Sequence, residues 1–161
     1  MNILILGNGG REHTFCWKLS QSVLQPKLFI APGNAGTAQL GTNIDINPTD
    51  LEAVATAVSS HAIDLILVGP EAPLVAGIHD HIANHPTLSH IPVIGPKEEA
   101  AKLEGSKAYA KAFMERHNIP TAPYKQFNAA NLSEGLAYLE SIPAPYVLKA
   151  DGLAAGKGVL I

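Results

Sequence analysis

A single cysteine, Cys16, stands in the whole chain, so no internal disulfide can staple the fold. It falls on the apolar side of an amphipathic stretch beside Phe15 and Leu19, the setting of a buried structural thiol. Charge is also scarce and unbiased, with 11 basic against 14 acidic side chains and a formal charge of −3. That balance supplies no basic field for nucleic acid. No apolar run reaches the roughly 18 residues of a membrane helix, and no basic segment leads into an apolar one at the amino terminus. The reading is a soluble, cytoplasmic chain with no nucleic-acid and no membrane partner. What the sequence does hold is 47% hydrophobic residues over 161 positions. That suffices for the core of one domain, or of one domain and part of another.

The densest information lies at the start. Four apolar residues, Ile3-Leu4-Ile5-Leu6, run into Gly7-Asn8-Gly9-Gly10, and an amphipathic segment follows at once. This order predicts a buried strand, a tight loop and a helix, the opening of an open parallel α/β sheet with helices on both faces. Such a loop leaves backbone N–H groups uncovered where they share a direction with the positive end of the helix, and phosphate is the anion such a site holds. Arg11 agrees, because a cation in the first helical turn is disfavoured unless something negative sits there. A dinucleotide is the poorer fit. Glu12 stands where the third glycine of the fingerprint belongs, and its side chain is expected to obstruct close helix–strand packing. The second strand, near 28–30, is followed by Ala31-Pro32-Gly33-Asn34, with no carboxylate for ribose hydroxyls.

Taken in order, the chain predicts a helix over 11–20 and a ligand-edge loop over 31–37. A helix over 49–59 follows, capped by Asn47 or Thr49, and a buried strand over 63–68 ends in Gly69-Pro70-Glu71. Glu71 then stands in a loop at the same sheet edge as the first two loops, suited to ribose hydroxyls. A helix over 74–84 carries His79 and His81, with His85 and His90 close behind. His81 and His85 lie one turn apart, yet no Glu follows His81 and no Cys is near, so a polar outer face is the better account and no metal is assigned. A short strand over 91–96 and a helix over 97–104 complete this part. The boundary falls at Gly105-Ser106, giving domains 1–104 and 105–161, with Ser106 capping the next helix. A strand near 124–127, a helix over 132–140 and a strand over 146–149 follow.

The segment Gly152-Leu153-Ala154-Ala155-Gly156-Lys157-Gly158 looks superficially like a Walker A loop. It is one residue short, and Gly158 replaces the hydroxyl that would hold magnesium. Val159-Leu160-Ile161 after it reads as strand, so the loop is better taken as a hairpin tip lowering N–H groups and Lys157 over a nucleotide. The chain stops inside this hairpin, which is expected to leave 159–161 as an unpaired edge. Lys149, by alternation, could face solvent. Lys107 sits at a helix start, where a phosphate partner would explain it.

Five segments, 7–13, 31–37, 68–74, 103–111 and 149–158, together resemble the amino-terminal part of the phosphoribosylamine–glycine ligases (glycinamide ribonucleotide synthetases), ATP-grasp enzymes of purine synthesis. Departures are minor: Cys16 replaces a usual small residue, and the histidine-rich segment around 79–91 is longer. The resemblance implies a Rossmann-like domain followed by the start of an α+β ATP-grasp subdomain. It implies that ATP, glycine and 5-phosphoribosylamine give glycinamide ribonucleotide, ADP and phosphate through a glycyl phosphate. By position, Gly9, Gly10, Arg11, Asn34, Ala35, Gly36 and Glu71 would meet the phosphoribosyl group. Lys107, Lys149, Gly152, Gly156, Lys157 and Gly158 would meet ATP, with the 152–158 loop as a lid. The resemblance assigns no catalytic residue and no metal ligand within the chain; the magnesium carboxylates are expected beyond residue 161. The chain is therefore read as a truncated portion, unable to turn over alone, whose partner would be the missing remainder of the ligase.

Overall fold

The computed structural model describes residues 1–154 and 156–161 and divides into two compact units, Met1–Ala101 and Lys102–Ile161. Ala155, inside the expected lid loop, lies outside the described residues.

The first unit is built on β1 (Asn2–Gly7). Around it run β2 (Lys27–Pro32), β3 (Thr42–Asn43), β4 (Leu65–Val68) and β5 (Val93–Ile94), in the order β3-β2-β1-β4-β5 and all parallel. β1 is the central strand because its apolar run serves both faces. Ile3 and Ile5 pack with Cys16, Leu28 and Ile30, while Leu4 and Leu6 pack with Val54, Val58, Ile66, Ile78 and Ile82. Period-two alternation thus sends one half of the strand to α1 (Gly10–Leu19) and the other to α2 (Leu51–Ser60) and α4 (Ile78–Ala83). The expected α/β sheet with helices on both faces is what forms. Burial of the Cys16 thiol pushes its pKa up to about 11, so it packs as an inert apolar group.

Several local expectations change. The cap of α2 is Asp50, whose carboxylate accepts from Ala53 N at 3.0 Å; Asn47 instead forms its own turn with Thr49. The helix expected over 74–84 is two pieces, α3 (Glu71–Val75) and α4, broken where Gly77 takes φ +91°. Only glycine enters that left-handed region without strain. β4 and β5 are shorter than the apolar runs that announced them, and β3 is too short and polar to show any periodicity.

The helix α5 (Glu98–Gly105) crosses from the first unit into the second. Within the second unit, α6 (Lys107–Arg116) is capped by Ser106, which accepts from Tyr109 N at 3.1 Å, as its sequence predicted. A further helix, α7 (Leu132–Ser141), lies before β6 (Leu148–Lys149), which pairs antiparallel with β7 (Val159–Leu160). Val159 and Leu160 close the expected hairpin, Leu148 opposite Leu160 and Lys149 opposite Val159, and in this two-stranded sheet the other side of β7 meets no strand among the described residues. No strand forms at 124–127; the Lys111 ammonium holds the preceding turn by donating to Thr121 Oγ1 and the Ala122 carbonyl. An extended segment becomes a strand only where a neighbour pairs with it.

Substituting Gly77→Ala forces a side chain into the left-handed region and sets its Cβ 3.2 Å from Glu98 Oε2. Urea unfolding is expected to show a loss of about 1–2 kcal/mol. An unchanged midpoint would mean that the α3–α4 break carries no conformational demand.

Candidate functional site

In this strand order the chain builds outward from β1 through β2 to β3, then crosses to β4 on the other side of β1. The direction of winding reverses between β1 and β4, and ligands of open α/β sheets bind in the crevice outside the carboxyl ends at such a reversal. Here the crevice is a cavity of about 360 Å³ lined by Asn8, Gly9, Gly10, Arg11, Glu12, Pro70 and Glu71.

Backbone bonds register the loops first. Gly33 N donates to the Gly7 carbonyl and Gly69 N to the Leu6 carbonyl, each at 3.1 Å. Asn34 then fastens the second loop to the first. Its amide nitrogen donates to the carbonyls of Asn8 (2.9 Å) and Gly9 (3.3 Å), and its Oδ1 accepts from Gly36 N and Thr37 N. Thr37, fully buried, accepts from Asn34 N at 2.7 Å and bonds Asn43 Oδ1 at 2.8 Å. The Asn34 side chain is thus engaged within the loops, and Ala35 is the exposed residue of the turn.

Between the first and third loops stand Arg11, Glu12 and Glu71. The Arg11 guanidinium donates from Nη1 to the Gly69 carbonyl and to Glu71 Oε1 at 3.3 Å, bridging the β1 and β4 loops. Both side chains remain about half exposed to the cavity. Glu71 is the first residue of α3 and not a loop residue as expected. Its carboxyl is held below the usual glutamate range, mainly by a backbone hydrogen bond at its own residue and then by Arg11, with desolvation opposing. Glu12 does not obstruct the helix. It folds inward, 4% exposed, and accepts from Gly9 N at 2.6 Å, reaching back from the third helical position as a capping-box glutamate does. The fit depends on glycine opposite: a Cβ on Gly69 would lie 1.9 Å from Glu12 Oε1. The pair of glycines at 7 and 69 makes room for the side chain that the missing third glycine would not have needed.

In the second unit the structure joins Lys107 to the turn after β6. Lys107 Nζ donates to the Gly152 carbonyl at 2.7 Å. Asp151, which the sequence reading passed over, accepts from Ser106 Oγ at 3.0 Å and from Ala108 N at 3.2 Å. The bond from Ala108 N leads the causes that hold its carboxyl below the usual aspartate range. The anion at the start of α6 is thus Asp151, and the signal for it was its place next to Gly152 in the loop. Lys149 lies on β6, and Lys157 is exposed beyond the Gly156 turn, its N–H on the Ala154 carbonyl. Ala150 N donates to the Gly158 carbonyl at 2.8 Å, closing the hairpin below the loop.

The histidines of the 79–90 segment lie elsewhere in the first unit. His79 Nδ1 is 2.7 Å from the Gly95 carbonyl. His81 and His85, with ring centroids 6.1 Å apart, line a separate cavity of about 570 Å³, and His81 Nε2 is 3.7 Å from Glu52 Oε1. Among the described residues no group of three or more His, Cys, Asp or Glu is placed to hold a metal ion.

Comparison with known proteins meets this geometry from outside. The model of the phosphoribosylglycinamide synthetase N domain matches residues 1–104, and that of the ATP-grasp (A) domain of the same family matches residues 105–161. Phosphoribosylamine–glycine ligase of Yersinia pestis is 51% identical over the whole chain, and that of Escherichia coli O157:H7 is 49% identical. The chain spans 37% of the length of each. A crystal structure of phosphoribosylamine–glycine ligase from Thermotoga maritima superposes with a TM-score of 0.71 at 35% identity, over 99% of this chain and 35% of that one. The biotin carboxylase domain of Hydrogenobacter thermophilus 2-oxoglutarate carboxylase, solved with MgADP, ADP and bicarbonate, reaches 0.72 at 20% identity, over 99% of this chain and 36% of that one, a likeness of fold.

The lowered Glu71 pKa has a testable division of causes. A depressed folded-state value stabilises the fold at pH above the ordinary carboxyl range, and that contribution is lost as pH falls through the lowered value. An NMR titration of the Glu71 carboxyl is expected to show a midpoint below that of an ordinary glutamate. Arg11→Met should raise it only part of the way, because the backbone hydrogen bond is the larger cause. Full return to the ordinary value would assign the whole effect to Arg11.

Proposed function

Since the chain belongs to the phosphoribosylglycinamide synthetase family, we propose that residues 1–104 bind the phosphoribosyl partner of an ATP-dependent ligation of glycine to 5-phosphoribosylamine. Residues 105–161 contribute to holding ATP for the same reaction. The carrying observation is the crevice between β1 and β4, where a glycine loop at a helix N-terminus faces an arginine paired with a carboxylate.

Each group has a task suited to its chemistry. The uncovered amides at the start of α1, around Gly10, and the Arg11 guanidinium meet a phosphate, and Arg11 adds planar, charge-assisted donation. Glu71, ionised at neutral pH, accepts from ribose hydroxyls. Asn34 and Gly36 act as a brace: they fix the carbonyls of Asn8 and Gly9 and so the direction of the neighbouring amides. Ala35 leaves the turn open to the ligand. In the reaction, ATP converts the glycine carboxylate to glycyl phosphate, and the ribosylamine nitrogen attacks its carbonyl with release of phosphate.

For the nucleotide, Lys107 and Lys149 stabilise phosphate charge, and the 152–158 loop, with Gly152, Gly156, Lys157 and Gly158, covers the triphosphate and excludes water. An ammonium has three donors, so the bond from Lys107 to the Gly152 carbonyl couples the loop to the phosphates without consuming the side chain. Magnesium accompanies ATP in such chemistry, and among the described residues no group of three or more His, Cys, Asp or Glu is placed to hold it.

Calorimetric titration of the chain with glycinamide ribonucleotide tests the first half of the reading, with NAD as comparator. Saturable binding of the ribonucleotide is expected, weakened about tenfold or more in Arg11→Ala, which removes a charge-assisted contact. Binding of NAD in its place would overturn the assignment of the crevice.

A further inference from the structure

The electrostatics of the same crevice carry one step further, resting on the phosphate reading above. We infer that Glu12 sets the class of phosphate the site takes: a single phosphate on a pentose, with diphosphate-bridged dinucleotides rejected. Dinucleotide-binding loops place glycine at this position, so that helix and strand approach closely and the loop amides reach the pyrophosphate. Here the position holds a carboxylate that is 4% exposed and accepts the Gly9 amide at 2.6 Å. An amide that a pyrophosphate would need is therefore already bonded to an ionic acceptor. The same carboxylate sits in the first turn of α1 and offsets the positive end of the helix.

The rest of the lining sharpens the effect. Of the seven residues around the cavity, Arg11 is the one cation, and Glu12 and Glu71 are both acidic. One phosphate can be held by Arg11 and the remaining amides of the first turn. A second brings further negative charge and finds no matching cation. Nor can Glu12 readily swing aside, since positions 7 and 69 enclose it so tightly that a Cβ at either would lie within 2.7 Å of its side chain. Glu12 acts through the Gly9 amide and through its charge, and is a specificity residue with no direct part in the chemistry.

The test titrates ¹⁵N-labelled chain with ribose 5-phosphate and with ADP-ribose, following the amide resonances of Gly9 and Gly10, in the natural sequence and in Glu12→Gln. Glutamine preserves the volume and an acceptor for Gly9 while removing the charge. The natural chain is expected to prefer ribose 5-phosphate by about tenfold or more, and Glu12→Gln to shrink that preference by about tenfold. Equal affinities in the natural chain, or a preference unchanged in a folded Glu12→Gln, would overturn the inference while leaving the phosphate reading intact. Failure of ribose 5-phosphate to perturb either amide in the natural chain would remove the phosphate reading, and this inference with it. Should Glu12→Gln not fold, equal affinities in the natural chain would still overturn the inference.

Discussion

The bond from the Gly9 amide to the Glu12 carboxylate is the constraint on which the crevice depends. It fixes the start of α1 against β1, and it places a side chain where only glycine could face it, at 7 and at 69. The third loop is thereby held at a set distance from the first, and Arg11 spans that distance to the Gly69 carbonyl and to Glu71. Arg11 and Glu71 are surface residues; an isolated exposed pair of this kind would contribute little to stability. Their geometry matters because the loops beneath them are already tied by backbone bonds to the central strand.

Much of the frame was legible because β1 is an unbroken apolar run ending in a glycine turn, and β2, β4 and β5 are apolar segments that also run into glycine, whereas the polar pair of β3 gave no such sign. The convergence of three loops on one sheet edge follows from parallel order alone: residues 9–11 and 71 line one cavity there, and Asn34 is bonded to the Asn8 and Gly9 carbonyls. What escaped had a physical reason in each case. Glu12 was read as an obstacle because the rule for that position concerns side-chain size, whereas the space is supplied by Gly69, 57 residues away. The break at Gly77 hides inside an apolar periodicity that continues through it. Asp50 as a cap, in place of Asn47 or Thr49, turns on one residue of offset in a run where three side chains could each accept an N–H.

The second unit shows the same economy in another form. Ser106 and Asp151 share the first turn of α6, and Lys107 reaches across to the Gly152 carbonyl, so helix start and loop are joined by side chains of adjacent residues. The cation that looked misplaced at a helix start has an acidic neighbour at Asp151 and a carbonyl for its ammonium. Both units thus place a basic side chain in the first turn of a helix and set a carboxylate distant in sequence beside it, Glu71 from the start of α3 in the first and Asp151 from the turn after β6 in the second.

The central place of β1 also bears on how the chain is made. One edge of β1 pairs with β2 and is satisfied once residue 32 has left the ribosome, but the other waits for β4 and residue 68. At ordinary elongation rates that interval lasts a few seconds. Throughout it, the edge of an Ile-Leu-Ile-Leu strand is open to any neighbouring chain. The most interior element of the finished sheet is therefore the most adhesive element of the growing one, and a nascent-chain binder would find its target in the first ten residues.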